Sequence, residues 1–128
     1  VNGLHHVELW VTDLDRAVAE WGWLLGELGW APDREWAAGR TWRCGDVYVV
    51  VERSPAVAGE HDRLRAGLNH LAFHGGDRAA VDAIAAAAPE HGWRPLFADR
   101  YPWAGGSGHY AAYLENTDGF EVEVVASG

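Results

Sequence analysis

The stretch Leu4-His5-His6-Val7-Glu8-Leu9 returns later in the chain as Leu68-Asn69-His70-Leu71-Ala72-Phe73, with His6 and His70 separated by 64 positions. The segments downstream of each copy repeat as well. Asp13 and Asp77 are both placed as N-caps. Leu14, Ala17, Val18, Trp21, Leu24, Leu25 and Leu28 recur at steps of three and four, as do Val81, Ile84 and Ala88, which predicts an amphipathic helix after each cap. Gly29-Trp30 and Gly92-Trp93 stop the two helices at matched places. Short strands come next in both halves: Trp30 to Trp36, Arg40 to Cys44 and Val47 to Glu52 in the first, and Arg94 to Phe97, Tyr110 to Leu114 and Phe120 to Val125 in the second. A repeat of this length fixes the organisation before any other feature is considered. The sequence predicts an α+β fold of two βαβββ modules, residues 1–52 and 68–126, joined by a linker over 53–67 that has no periodicity. The two modules together make one domain over residues 1–128. Two such modules can set their sheets side by side and curl into an open, cup-shaped barrel.

Composition narrows the function. The chain has 128 residues, 48% hydrophobic and 23% charged, which suits one ordinary globular domain. A net charge of −9 without a basic patch argues against nucleic acid and against an anionic membrane surface. No apolar run approaches the roughly 20 residues of a membrane span, and no secretory leader is visible. Cys44 is the only cysteine, so neither an internal disulfide nor a thiolate-bound structural zinc is expected, which fits a cytoplasmic protein. Eight tryptophans are many for this length, and some are expected to wall a pocket.

The chemistry centres on Gly119-Phe120-Glu121-Val122-Glu123-Val124. A Glu in an apolar strand is costly to bury without a partner. Strand alternation puts Phe120, Val122 and Val124 on one face and Glu121, Glu123 and Val125 on the other. In the first strand of each module, His6 and His70 likewise lie opposite the aliphatic residues. Two imidazoles and one carboxylate form a metal-ligand set with open positions, so His6, His70 and Glu123 are expected to bind one divalent transition metal. The set suits Fe(II) or Mn(II) first, and also Zn(II) or Ni(II). Superposing the closing strands sets Val50, not Glu52, opposite Glu123; Glu52 shares the face of Val50 and stands as an alternative fourth donor. A lone strand histidine is more often a surface or hydrogen-bonded residue, and His5, His61, His91 and His109 are read that way. Tyr113 or Tyr110 is expected to move or steady a proton. Trp10, Trp42 and Trp103 are expected to make flat contacts with a small-molecule ligand.

These segments resemble the vicinal oxygen chelate superfamily, which contains glyoxalase I, extradiol ring-cleavage dioxygenases, fosfomycin-resistance enzymes and bleomycin-binding proteins. The resemblance rests on His6-Val7-Glu8-Leu9-Trp10-Val11-Thr12-Asp13-Leu14-Asp15-Arg16-Ala17, on Leu68 to Phe73 and on Asp118 to Glu123, and it extends over nearly the whole chain. It implies the two-module fold, metal ligands at His6, His70 and Glu123, a substrate bound through adjacent oxygens, and a homodimer. The fourth ligand usual in glyoxalase I falls on Val50, a departure from that enzyme. Tyr113 stands ten residues before Glu123, as does the substrate-bonding Tyr of extradiol dioxygenases. The catalytic-base His of those enzymes has only loose counterparts in His61, His74 and His109. Two functions are implied: a metal-dependent enzyme of the dioxygenase, lyase or isomerase kind, or a non-catalytic binder of an antibiotic or other flat molecule.

Overall fold

A computed structural model describes all 128 residues. The chain divides into two compact units, Val1–Glu60 and His61–Gly128, and the division falls inside the expected linker. Each unit is a four-stranded mixed sheet with one α-helix, in the order βαβββ.

In the first unit, β1 (His6–Trp10) is followed by α1 (Leu14–Glu27), β2 (Ala31–Trp36), β3 (Gly39–Cys44) and β4 (Val47–Glu52). Asp13 caps α1 by accepting a hydrogen bond from the Arg16 N–H at 3.1 Å. The helix buries Ala17, Trp21, Leu24 and Leu25 on one face. It stops at Gly29, whose φ of +86° is open to glycine without strain. The sheet order is β1-β4-β3-β2, with β1 parallel to β4 and the other pairs antiparallel. Register fixes which side chains share a face: His6 lies beside Tyr48, Glu8 beside Val50 and Trp10 beside Glu52. Leu9, Val49 and Val51 fill the opposite face and are buried.

The second unit repeats this plan with β5 (His70–His74), α2 (Arg78–Ala87), β6 (Trp93–Leu96), β7 (Ala111–Asn116) and β8 (Glu121–Val125). A short 3-10 turn, Ala88–His91, extends α2 and ends at Gly92 with φ +85°. Asp77 caps α2 through the Ala80 N–H at 2.8 Å, and Val81, Ile84 and Ala88 are buried as the spacing predicts. The order is β5-β8-β7-β6, again with its first and last strands paired in parallel. His70 lies beside Glu121, Ala72 beside Glu123, and Tyr113 faces Glu123 across β7 and β8. The registers of the two units match: Glu8 stands to Val50 as Ala72 stands to Glu123. Val50 is therefore the counterpart of Glu123, as the superposed strands imply.

The stretch from Arg53 to Gly67 forms no strand or helix, and within it Arg63 is tied to the sheet of its own, second unit. Arg63 donates to Glu115 at 2.6 Å and to Glu121 at 3.1 Å, and its carbonyl accepts from Asn69 at 3.0 Å.

Candidate functional site

Glu123 is 6% exposed, yet three polar groups of its own unit surround it. His70 Nε2 lies 3.2 Å from Oε1. His109 Nε2 hydrogen-bonds Oε2, which requires the proton on that nitrogen, because a carboxylate only accepts. Tyr113 makes the third contact. Burial, the Glu123 charge and a hydrogen bond to Glu123 push its phenol up to about 12, so it holds its proton throughout the neutral range.

The neighbours of His70 fix its tautomer. Asn69 donates its Nδ2 hydrogen to the Arg63 carbonyl, which turns Asn69 Oδ1 toward His70 Nδ1 at 2.7 Å. Nδ1 must therefore carry a proton. In the neutral ring the Nε2 lone pair then faces the Glu123 carboxylate, an arrangement completed by a second proton or by a cation. A hydrogen-bonded Nδ1–H that fixes the tautomer is the usual support of a metal-binding imidazole. The donor chemistry of His70 and Glu123 thus fits a divalent transition metal. The chain gathers no three His, Cys, Asp or Glu side chains into a group able to hold a metal.

His6 lies in the first unit, at the exposed end of β1. Its Nδ1 is 2.9 Å from His5 Nδ1, and its ring stacks on Tyr48 at 4.8 Å with a 4° interplanar angle. It lines a cavity of about 530 Å³ together with Glu8, Val50 and Glu52. Glu52 therefore reaches the same cavity wall as His6, as its shared face with Val50 suggests.

The remaining expected residues separate. Tyr110 donates to Asp82 at 2.5 Å and lies under the Arg78 guanidinium at 4.8 Å, so it is committed to α2 rather than to Glu123. Trp103 packs edge-on against Tyr110 at 5.4 Å and belongs to the same cluster. Trp10 is exposed on the His6 face, with its indole N–H on Glu8 at 2.7 Å. Trp42 lies apart from the His6 face and lines a second cavity with Val18 and Gly22. It is 5% exposed and lies against α1 at Gly22, where an added Cβ would come within 3.3 Å of its ring. Pairing with Val49 turns it to the aliphatic face.

Sequence reasoning gave His109 no firm role, yet the structure sets it directly on Glu123. It ends a loop in which Gly105 passes so close to Tyr113 and His109 that a Cβ would sit 2.5 Å from the Tyr113 oxygen and 2.6 Å from His109 Cδ2. The glycines at 105, 106 and 108 were the available signal.

Residues 5–113 match the model of the glyoxalase/bleomycin resistance protein/dioxygenase superfamily. The chain belongs to this superfamily. It is 42% identical over 125 residues to the uncharacterised protein YqjT of Bacillus subtilis strain 168, covering 96% of this chain and 98% of that one. A crystal structure of a candidate glyoxalase from Bacillus halodurans is 40% identical, with a TM-score of 0.91 over 97% of this chain and 95% of the other. A glyoxalase/bleomycin resistance protein from Albidiferax ferrireducens T118 shares the fold at 21% identity, with a TM-score of 0.77 and 98% coverage of both chains. The expected α+β fold of two βαβββ modules is thus the fold of this superfamily. No helix is long and apolar enough to cross a membrane.

Proposed function

We propose that this protein is a metal-dependent enzyme of its superfamily that binds a small molecule through two adjacent oxygens. The observation that carries the reading is the buried Glu123 carboxylate, with His70 Nε2 at 3.2 Å and the His70 tautomer fixed by Asn69. Glu123 and His70 of the second unit would hold the metal. His6, from the same chain or from a second copy in a homodimer, would complete the set, as the resemblance implies. Fe(II) or Mn(II) suits these donors, as do Zn(II) and Ni(II). When bound, such an ion supplies Lewis-acid stabilisation of negative charge on the substrate oxygens. The chain's own residues then have distinct tasks. Tyr113 keeps its proton at neutral pH and can donate a hydrogen bond to a developing oxyanion. His109 sits on the outer carboxylate oxygen, where it can take up or release a proton once freed from Glu123.

A second reading has its own support. His109, Tyr113 and His70 satisfy the Glu123 carboxylate from within the chain, which a binder of flat ligands would also show. Metal content separates the two. Tag-free protein, loaded anaerobically in turn with each of the four ions and desalted, is analysed by mass spectrometry beside His70→Ala and Glu123→Gln. About one ion per chain in the parent, lost in both variants, supports the enzyme. An ion-free parent, or retention in both variants, overturns it and leaves the binder.

A further inference from the structure

The first unit holds an unpaired cation at the wall of the His6 cavity. Beyond Pro32, β2 gains one residue relative to β3: Pro32 is paired with Trp42, but Glu35 with Arg40. Such a bulge re-aims side chains that strand alternation would send to opposite faces. Thr41 anchors it. Its hydroxyl oxygen accepts from the Arg34 N–H at 2.9 Å and lies 3.4 Å from Asp33 Oδ2. As a result the consecutive residues Asp33 and Arg34 both line the cavity.

The neighbouring arginines are engaged. Arg43 pairs with Asp33 at 3.4 Å and lies 4.9 Å over the Tyr48 ring. Arg40 pairs with Glu35 at 3.0 Å and donates to the Trp36 carbonyl at 2.8 Å. The Arg34 guanidinium has no carboxylate partner, although its main chain is held. Its planar array of donors matches a carboxylate in two-point contact. The walls beside it supply aromatic surface from Trp36 and from Tyr48, the latter stacked on His6.

We propose that Arg34 anchors the carboxylate of an aromatic monocarboxylate in this cavity. The unpaired Glu52 in the same wall and the chain's net charge of −9 oppose a dianion such as a phosphate monoester. One negative charge on a flat apolar body satisfies Arg34 without a second charge facing Glu52. The binding is a property of the first unit's own cavity and does not depend on the metal reading above.

The test is calorimetric titration of the full chain in EDTA with naphthalene-2-carboxylate, and with 2-naphthamide as its neutral counterpart. The proteins are the parent, Arg34→Gln, Arg34→Lys and, as a control outside the cavity lining, Arg65→Gln. The expected result is binding of the carboxylate that weakens about tenfold or more in Arg34→Gln, a fold-change fitting a lost charge-assisted pair. Arg34→Lys should recover part of it, Arg65→Gln should match the parent, and the amide should not discriminate between parent and Arg34→Gln. Equal carboxylate affinity in parent and Arg34→Gln, or no carboxylate binding by the parent, overturns the proposal. Because EDTA is present throughout, an ion-free parent in the metal experiment leaves this result standing. A metal-binding parent with no Arg34 effect removes the subsite alone.

Discussion

Replacing Arg63 by Met should destabilise the second unit more than any other single charge removal there. Arg63 spans two carboxylates whose side chains are only 12% (Glu115) and 4% (Glu121) exposed, and its own side chain is 19% exposed. Burial pushes the Glu115 carboxyl up, but hydrogen bonds from Arg63 and Arg94 outweigh it and hold the group below its usual range. Stripping one partner from a buried pair costs about 3–5 kcal/mol, because the other charge stays desolvated. Here the loss is partly relieved, since Glu115 keeps Arg94. We expect about 2–4 kcal/mol, scaled down from that range. With a urea dependence of about 2 kcal/mol per molar, the midpoint falls by about 1–2 M. The pH dependence has a definite sign. A carboxyl whose folded pKa is depressed contributes stability above its unfolded pKa and loses it as pH falls through the folded value. Parent and variant should therefore converge in acid, below the ordinary Glu range. The assay is urea unfolding followed by tryptophan fluorescence near neutral pH and near pH 3, with Arg63→Met/Glu121→Gln recovering at least half of the loss at neutral pH. A deficit under about 0.5 kcal/mol at neutral pH, within the range of ordinary surface substitutions, would refute the reasoning. So would a deficit that persists undiminished in acid.

Two further outcomes are set by close contacts. Gly105→Ala should displace the His109 or Tyr113 side chain from Glu123 and cost about 1–3 kcal/mol by overpacking; a parent-like His109 imidazole ¹⁵N spectrum and an unchanged Tm would show that the close approach is not needed. His61 lies flat on Phe120 at 4.1 Å with its Nε2 buried and without a hydrogen-bond partner, and burial holds its imidazole below 6.5 although Asp62 pulls the other way. The unfolded chain takes up that proton first, so stability should fall as pH drops below about 6.5 and continue to fall until the folded pKa is reached. His61→Phe should flatten this part of the Tm-against-pH curve, and a parallel curve would count against the assignment.

The fold was legible because the repeat imposes it twice. Asp13 and Asp77, Gly29 and Gly92, and the aliphatic residues between them carry local signals that agree with the packing, so the helices form where the spacing puts them. Register was legible too, because both faces of β4 and β8 have distinct characters: one is aliphatic throughout, and the other carries Tyr48 and Glu52 in β4 and Glu121 and Glu123 in β8. The contacts that escaped depend on chain paths without periodicity. His109 reaches Glu123 from a loop shaped by glycines, and Arg63 reaches Glu115 and Glu121 from fifty-two and fifty-eight positions away. Neither contact leaves a pattern in the sequence. The bulge at Asp33 and Arg34 is silent for the same reason, since an added residue in an exposed strand changes no hydrophobic spacing. The face that Trp42 takes was not legible either, because aromatic character suits both a ligand wall and a core, and its pairing with Val49 sets it on the aliphatic side.

In both units the first strand is hydrogen-bonded in parallel to the last: His6 beside Tyr48, and His70 beside Glu121. This has a consequence for synthesis on the ribosome. Each sheet has its earliest strand at an edge that only its latest strand can join, so neither sheet can be finished while its module is still emerging. The first unit can close once β4 has left the exit tunnel, while the second is still being made. The second must wait for Glu121–Val125, and until then β5 stands unpaired. Glu123, the buried acid on which the proposed chemistry depends, is thus put in place only when the whole of its module has been made. A chain released before β8 emerges has a complete first sheet, a bare strand edge at β5 and no Glu123 carboxylate. Such a product lacks the proposed metal donor and exposes the kind of unpaired strand that quality-control proteases and aggregation both exploit.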